Sequence, residues 1–586
     1  MQFINGKDLY NMFNYGTYYI IQERSYLNDI NVFPVADGDT GNNLLHTLRT
    51  ISLESKMTDS FKDTLESISE AALIGARGNS GVIFAQFVNG LQKSNGFGKK
   101  ITLEEFSKLV EQSVGHTYSS LSNPVEGTMI TIMKEWSIKL NQLLLEEGTI
   151  KQKFTDSYIH INSFLSNTKK MLDVLRENDV VDSGALGFTL FVKGIVSYYN
   201  NDDIDVINYE NIEIEDQHEF NGEITYRYCT EGLVKSSDYD ELTLRKDLEK
   251  DGDSLIIAQG KSRFRVHIHT NKPQNVFQTL KKYGMIETQK IDDMKLDINL
   301  KNSHNKRVLV TDSIADINQE LLDENNVVVI PTNISIDNVP YLDKLSITNE
   351  TLFNSLSSYN EYPKTSTPSI KYINDLFSRL LLKHDEIIVV TVSKKLSATH
   401  NVILNEANKL QAKGKRIFVV DSYSNSATEG LLVKEAIRLI NENFETQDII
   451  KELEVQREKT EILVCLETFK YATMSGRLPK AVGNIGMFFG IRPIMTLKQG
   501  KGSAFGMALS QKGITKKITK YVEKDLQNSG IKEYSIVHCL NEKLAEEYRI
   551  LFTEIIGKAP SYITEISSAT AIHSGVGSVA IGYIKN

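Results

Sequence analysis

The chain has 586 residues, 41% hydrophobic and 24% charged, which is too long for one core and predicts three or four globular domains. A net charge of −9 gives no basis for nucleic-acid binding or for more than peripheral membrane contact. Apolar runs such as Glu386–Val392 are too short to span a bilayer. Three widely spaced cysteines, Cys229, Cys465 and Cys539, predict a reducing compartment without a disulfide framework. The start "MQFINGKDLY" lacks a basic-then-apolar leader, so the expected location is the cytoplasm.

Residues 1–200 read as helices. Leu9, Met12, Phe13, Gly16, Tyr19 and Ile20 recur at helical spacing, and Thr102 with Glu105 forms a capping box ahead of another apolar stripe. No alternating strand stands out there. The acidic, asparagine-rich run "NNDDIDVINYENIEIEDQHEFNGE" predicts a domain boundary. From 222 to 298 the period changes. "EITYRYC", "DSLIIAQG" and "FRVHIHT" read as strands and "NVFQTLKKYG" as a short helix, which gives a small α+β module. From 306 to 586 apolar strands such as "RVLVTDS", "EIIVVTV" and "RIFVVDS" alternate with helices. They predict a buried parallel sheet with ligand-facing turns at its carboxyl edge.

Four stretches of the helical region carry chemistry. "NVFPVADGDTGNN" sets Asp37 and Asp39 one residue apart beside Gly38 and Gly41, with Thr40 and Asn43 next to them. Paired hard oxygens suit Mg²⁺, whose remaining positions go to phosphate and water. By composition alone the turn serves equally well as a pair of solvated acids. "GARGNSGVIFAQF" is a glycine-rich loop entering a helix, where backbone N–H groups attract anions. "NPVEGTMITIM" and "VVDSGALGF" repeat that grammar, and the set describes a nucleotide site built from helix ends.

These motifs, in this order, resemble the nucleotide-binding domain of dihydroxyacetone kinases (DhaL type), and "NVFPVADGDTG" is most similar to its variant in bacterial fatty acid kinases. The resemblance covers residues 1–200 and implies an eight-helix barrel holding Mg–ATP at one end. Carried over, Asp37 and Asp39 are metal ligands. Asn31 stands near a third ligand position that is an aspartate in the parent kinases. Ser80, Gly81 and Thr128 match phosphate-contacting positions, and Asp182 and Gly184 fall in a loop closing over the nucleotide.

In "RVHIHT", His267 and His269 alternate on one strand and face one side, within reach of a single metal, with Cys229 as a third ligand from a neighbouring strand. In isolation two histidines and an unrelated buried cysteine is the simpler reading. "YRYCTEGLV", "HIHTNKPQNVF" and "KIDDM" resemble the middle domain of the same kinases, which implies a structural zinc with an architectural or dimerisation role.

"LVTDSIADI", "KTSTPS", "TVSKKLSATH", "VVDSYSNSATEG", "TMSGRLPKA" and "HSGVGSVAIG" resemble the DegV family of fatty-acid-binding proteins across 306–586, which implies an α/β domain pair. Two departures are Ala398 and His400, where the family usually has Gly and Tyr, and Thr367, where Gln is common. Thr365, Ser397 and His573 match carboxylate-holding positions with Arg477 as the nearby cation. Ser366, Ser393 and Ser574 are second-tier, while Ser369 and Ser424 read as helix caps. Burying a C16 tail contributes on the order of 10 kcal/mol before entropic costs, so the head-group contacts need only orient the acid.

Together the resemblances imply transfer of the γ-phosphate of ATP to a long-chain fatty acid, with Asp37, Asp39 and Arg477 handling charge and Mg²⁺ as cofactor. They also point to separate acyl-carrier or acyltransferase partners, and to transfer within one chain or across a homodimer. A nucleotide-regulated lipid carrier or sensor is the alternative. Dihydroxyacetone phosphorylation fits less well, because no substrate domain with a covalent histidine is visible.

Overall fold

The structure, a computed structural model, describes residues 3–33, 38–93, 98–205, 207–209, 212, 225–236, 238–303, 305–479, 484 and 487–586. The chain divides into two compact units, 1–301 and 302–586.

The first unit opens with β1 (Phe3–Asn5), paired antiparallel with β2 (Lys100–Thr102). Strands of three residues are too short to show alternation, which is why the sequence pattern missed them. Eight helices of 15 to 24 residues follow: α1 (Gly6–Asp29), α2 (Thr40–Glu54), α3 (Phe61–Gly75), α4 (Gly78–Lys93), α5 (Leu103–Ser120), α6 (Met129–Leu143), α7 (Ile150–Phe164) and a last helix, Ser183–Asn200. Each packs on the next, and the last packs on both α7 and α1, so the ring closes as a barrel. Its interior is filled by edge-on aromatics, Phe87, Trp136 and Phe188 among them. The capping box predicted at Thr102 and Glu105 is present.

The middle sheet joins this unit. β3 (Tyr228–Lys235), β4 (Gly252–Gln259), β5 (Arg263–Thr270) and β6 (Met285–Asp293) pair antiparallel in the order β4-β5-β3-β6. The helix predicted over Asn275–Gly284 is Pro273–Tyr283, with a proline at its first turn. The sequence reading missed β6 and the helix Glu241–Leu248. β6 is a half-exposed edge strand of mostly polar residues, so it carries no alternating signal. Leu233, Ile256 and Ala258 of the sheet belong to the same apolar core as the barrel helices. Gln86, buried on α4, donates to the Ile257 carbonyl and accepts from the Gln259 N–H. Barrel and sheet are thus one packed body.

In the second unit, β7 (Arg307–Asp312), β8 (Val328–Ile330), β12 (Glu386–Thr391) and β13 (Arg416–Asp421) form the predicted parallel sheet in the order β13-β12-β7-β8. A small sheet of β9 (Asn333–Ile336), β10 (Val339–Leu342) and β11 (Lys364–Ser366) lies between β8 and β12 in the chain. A six-stranded mixed sheet completes the α/β pair: β14 (Thr460–Cys465), β15 (Arg492–Lys498), β16 (Lys501–Ala508), β17 (Ile531–His538), β18 (Ile563–Glu565) and β19 (Val579–Lys585), in the order β16-β15-β14-β19-β17-β18. No helix among the described residues is long and apolar enough to cross a membrane.

Candidate functional site

The acidic turn leads into α2. Asp37 lies outside the described residues. Asp39 is the buried N-cap residue of α2, and its carboxylate makes no capping bond to that helix. Gly38 before it takes φ 63°, which a side chain would resist. The cap is supplied by Asn31: its Oδ1 accepts the N–H groups of Asp39 (3.2 Å) and Thr40 (3.0 Å) and the Thr40 hydroxyl (2.7 Å). The Thr40 hydroxyl also faces the Ser80 hydroxyl of α4 at 3.3 Å.

α4 presses closely on α2. A Cβ on Gly81 would meet Thr47 Oγ1 at 2.5 Å, and one on Gly78 (φ 53°) would meet Asn43 Nδ2 at 2.0 Å. The Gly81 N–H donates to the Arg77 carbonyl, and the missing side chain lets α4 pack on α2 at this point. Asn43 is buried and braces Gly78. Thr128 caps nothing with its side chain; its hydroxyl donates to Val125 O at 2.8 Å. Asp182 is buried, accepts from Ala185 N at 2.7 Å, and also takes the Met129 N–H at the start of α6. Burial pushes its carboxyl up to about 7 against those two bonds. Gly184 keeps the room beside it open, since a Cβ there would touch Asp182 and Met129 at 3.3 Å.

The middle sheet borders this turn. Cys229 lies opposite His269 and Glu231 opposite His267 in the β3–β5 register. One ligand atom each from Cys229, His267 and His269 lie within 4.8 Å of one another. His267 Nε2 is buried without a hydrogen-bond partner among the described residues. Burial, then the neighbouring His267, lowers His269 to about 3, so its ring is neutral and ready to ligate; burial raises the Cys229 thiol, which must deprotonate to bind. The donor set fits Zn²⁺. The Asp39 carboxylate lies within electrostatic reach of both Cys229 and His269, so the cluster stands beside the acidic turn.

Glu231, which the sequence reading passed over, links the two. Its Oε1 accepts the Gly78 N–H at 2.7 Å and faces His267 Nδ1 at 3.4 Å, and its Oε2 faces Arg77 and Arg265 at 3.3 Å each. Arg265 in turn donates to the Leu73 and Ile74 carbonyls at the end of α3. The signal was available, because Cys229 and Glu231 alternate on their strand as His267 and His269 do on theirs.

In the second unit a cavity of about 800 Å³ is lined by Thr365, Ser366, Ser397, Arg477, His573 and Ser574. Apolar walls of Val464, Leu466, Met495, Leu497, Val537 and Ala580 continue it. The Ser397 hydroxyl lies 3.0 Å from the Thr399 hydroxyl at a helix start. His573 Nδ1 is buried without a partner, and burial with the Arg477 charge lowers the ring to about 4, so it is neutral at pH 7. Arg477 is exposed and donates to the Leu396 carbonyl at 3.3 Å. The Ser574 hydroxyl is held by Ser578 at 3.1 Å. Ser393 does not line the cavity: its hydroxyl donates to the Gly500 carbonyl at 2.8 Å and pins the β15–β16 turn. His400 also stays out, bonded to Thr391 Oγ1 at 2.8 Å. Ser369 caps a helix as expected. Thr332 and Asn425 line the cavity with buried oxygens that have no hydrogen-bond partner among the described residues; Asn425 falls within the stretch "VVDSYSNSATEG" but was not singled out, and Thr332 falls in no quoted stretch.

Comparison with known proteins assigns each region. The DAK2 domain model matches residues 34–197, the model of the fatty acid kinase (FakA-like) middle domain matches 225–300, and the "uncharacterised protein, DegV family" model matches 306–586. Protein YloV of Bacillus subtilis is 31% identical over 308 residues, covering 50% of this chain and 56% of its own length. An uncharacterized protein of Mycoplasma genitalium is 31% identical over 354 residues, covering 55% and 63%. An uncharacterized protein of Staphylococcus saprophyticus is 30% identical over 315 residues, covering 50% and 55%, so the chain spans about half the length of such curated relatives. Among solved structures, a fatty-acid-binding DegV family protein from Thermus thermophilus is 24% identical with a TM-score of 0.44, covering 48% of this chain and all of its own. DegV from Bacillus subtilis, described as a fatty acid binding protein, is 21% identical with a TM-score of 0.43, covering 48% and 99%. The chain therefore carries, in succession, a DAK2 domain, a FakA-like fatty acid kinase middle domain and a DegV-family domain.

Proposed function

We propose that this chain is a fatty acid kinase-like phosphotransferase that moves the γ-phosphate of ATP onto a long-chain fatty acid held in its own DegV-family domain. The observation that carries the reading is the pairing, on one polypeptide, of an acidic turn at two packed helix ends with an apolar cavity ringed by hydroxyls, a neutral histidine and an arginine. Asp39 and Asp37 would hold Mg²⁺, and Asn31 would shape the turn they stand on. Bound Mg²⁺ neutralises phosphate oxygens and draws charge from the leaving ADP. Thr40 and Ser80, whose hydroxyls lie 3.3 Å apart, would orient those oxygens. In the second unit Thr365, Ser397 and His573 would orient the carboxylate, and Arg477 would offset repulsion between two anions. One carboxylate oxygen attacks the γ-phosphorus, the P–O bond to ADP breaks, and its electron pair leaves with ADP. The carboxylate is already a nucleophile, so no general base is needed.

Purified protein incubated with γ-labelled ATP, Mg²⁺ and oleate or palmitate should form acyl phosphate, trapped as the hydroxamate. No product with either lipid, alone or with a separate carrier or acyltransferase partner, rejects the reading. One observation favours a nucleotide-regulated carrier instead: Asn31, at the third ligand position, brings no charge and spends its Oδ1 on three donors. Asp39→Ala separates the two readings: in an enzyme it abolishes acyl phosphate formation, whereas in a carrier there is no turnover to lose and only the nucleotide dependence of lipid binding changes.

A further inference from the structure

We propose that Glu231 is the positioning residue that holds the α3–α4 turn in its nucleotide-binding shape and makes nucleotide affinity depend on the ion at Cys229, His267 and His269. This rests on the reading above, in which the barrel turn takes MgATP and the cluster takes zinc.

The turn between α3 and α4 reverses the chain in two residues, Ala76 and Arg77. It leaves carbonyls at the end of one helix and N–H groups at the start of the next, a negative and a positive end side by side. The middle sheet answers both. Arg265 takes the carbonyls of Leu73 and Ile74, at 3.0 and 2.8 Å. Glu231 takes the Gly78 N–H at 2.7 Å, and the two side chains, each 2% exposed, pair with one another. A buried carboxylate in this setting is held strongly, because breaking such a pair strands a charge out of water.

The position of Gly78 then passes on to the phosphate side. Gly78 sits against Asn43, and α4 carries Ser80 to the Thr40 hydroxyl that Asn31 also holds. A small shift of the turn therefore moves Ser80, Asn43 and Thr40 together.

The same carboxylate faces His267, whose Nδ1 lies 3.4 Å from Glu231 Oε1 and 3.9 Å from Cys229 Sγ, while Nε2 is buried with no hydrogen-bond partner among the described residues. A carboxylate behind a ligating imidazole orients the ring and strengthens its grip on the ion. Glu231 therefore serves two masters within one hydrogen-bond length of each, and loading the cluster tightens the Glu231–His267 contact that also anchors Gly78. A carboxylate placed only to stabilise the fold would hold the turn equally well with the cluster empty. Linkage then requires reciprocity: nucleotide at the turn tightens zinc at the cluster by the same factor.

The test measures binding of MgAMP-PNP to the full chain by calorimetry, zinc-loaded and after chelation, with zinc quantified by mass spectrometry. For the wild type, zinc removal should weaken nucleotide binding about fivefold or more, the lower range for coupled sites. Glu231→Gln, which keeps the shape and loses the charge, should bind nucleotide weakly in both states, with the zinc dependence gone. Oleate binding by the second unit checks that the variant is otherwise intact. Zinc-independent affinity in the wild type, or an undiminished zinc effect in the variant, overturns the proposal while leaving the kinase reading in place. No nucleotide binding by the zinc-loaded wild type overturns both. Should the variant fail to fold, hydrogen exchange on the wild type reads the same link. Protection over residues 76–81 should fall on zinc removal, and unchanged protection overturns the proposal.

Discussion

Asn31 and Thr40 are joined twice, through the Thr40 N–H at 3.0 Å and the Thr40 hydroxyl at 2.7 Å, both donated to one side-chain oxygen. A residue eight positions upstream of Asp39 thus caps the helix that follows the acidic turn. Asn31→Ala removes an acceptor for three donors at a buried helix end. It should cost about 1–2 kcal/mol of stability in the first unit, read by thermal unfolding. Asn31→Asp keeps the acceptor and adds a charge beside Asp39, so it should keep the fold and tighten Mg²⁺ binding in a titration. Equal stability of Asn31→Ala and the wild type contradicts the capping role.

Gly78→Ala places a methyl group 2.0 Å from Asn43 Nδ2 at a residue with φ 53°. The overlap falls on the end of the Asn43 side chain, which must turn away from the α4 start, and the positive φ strains any residue that carries a Cβ there. Nucleotide binding should be lost, while oleate binding by the second unit stays within about twofold of the wild type, since sites with no shared partners act independently. Isothermal titration with each ligand reads both. Unchanged nucleotide affinity would show that the close approach of α4 to α2 is not needed.

How far the sequence carried depended on how local the signal was. The barrel helices and the β7, β12 and β13 strands were legible because apolar periodicity and capping pairs such as Thr102 and Glu105 are written in adjacent residues. His267 and His269 were legible as a pair because strand alternation fixes their common face, and Cys229 joins them across the β3–β5 register. Glu231 was legible only as the strand neighbour that shares a face with Cys229; its bonds to Gly78, Arg77 and Arg265 were not, because those residues are remote in sequence. Ser393 misled for the opposite reason. It sits within a motif of ligand-facing hydroxyls, yet a hairpin more than a hundred residues onward claims its hydroxyl.

His573 and Arg477 should separate by experiment. Replacing the histidine with alanine removes the half-buried ring proposed to bond the carboxylate, and oleate binding should weaken about tenfold or more. Arg477→Ala removes an exposed charge. It should change affinity by less than about threefold, because solvent screens it. Its effect should fall on acyl phosphate formation, where a second anion has to approach. Fluorescent fatty-acid displacement gives the first quantity and hydroxamate trapping the second. Equal losses of affinity in both variants would remove the distinction.

Glu429 provides the pH test of the second unit. It is fully buried, and neither carboxylate oxygen has a hydrogen-bond partner among the described residues. Burial, followed by the nearby Asp312 and Asp316 and, more weakly, Asp421, holds its carboxyl well above the ordinary range, with Lys344 the opposing charge. The folded state therefore keeps this proton at pH values where the unfolded chain, near 4.5, has released it. Folded protein then binds more protons than unfolded, so stability falls as pH rises through that window and is fully present only below it. Glu429→Gln keeps the shape without the ionisable proton. Its unfolding midpoint should match the wild type near pH 4.5 and exceed it increasingly toward pH 8. Asp312, which burial raises to about 6, titrates in both proteins, so the difference between the two curves isolates Glu429. Parallel curves from pH 4.5 to 8 would mean that Glu429 is charged in the folded protein, and that the space around it holds water or a cation to receive that charge.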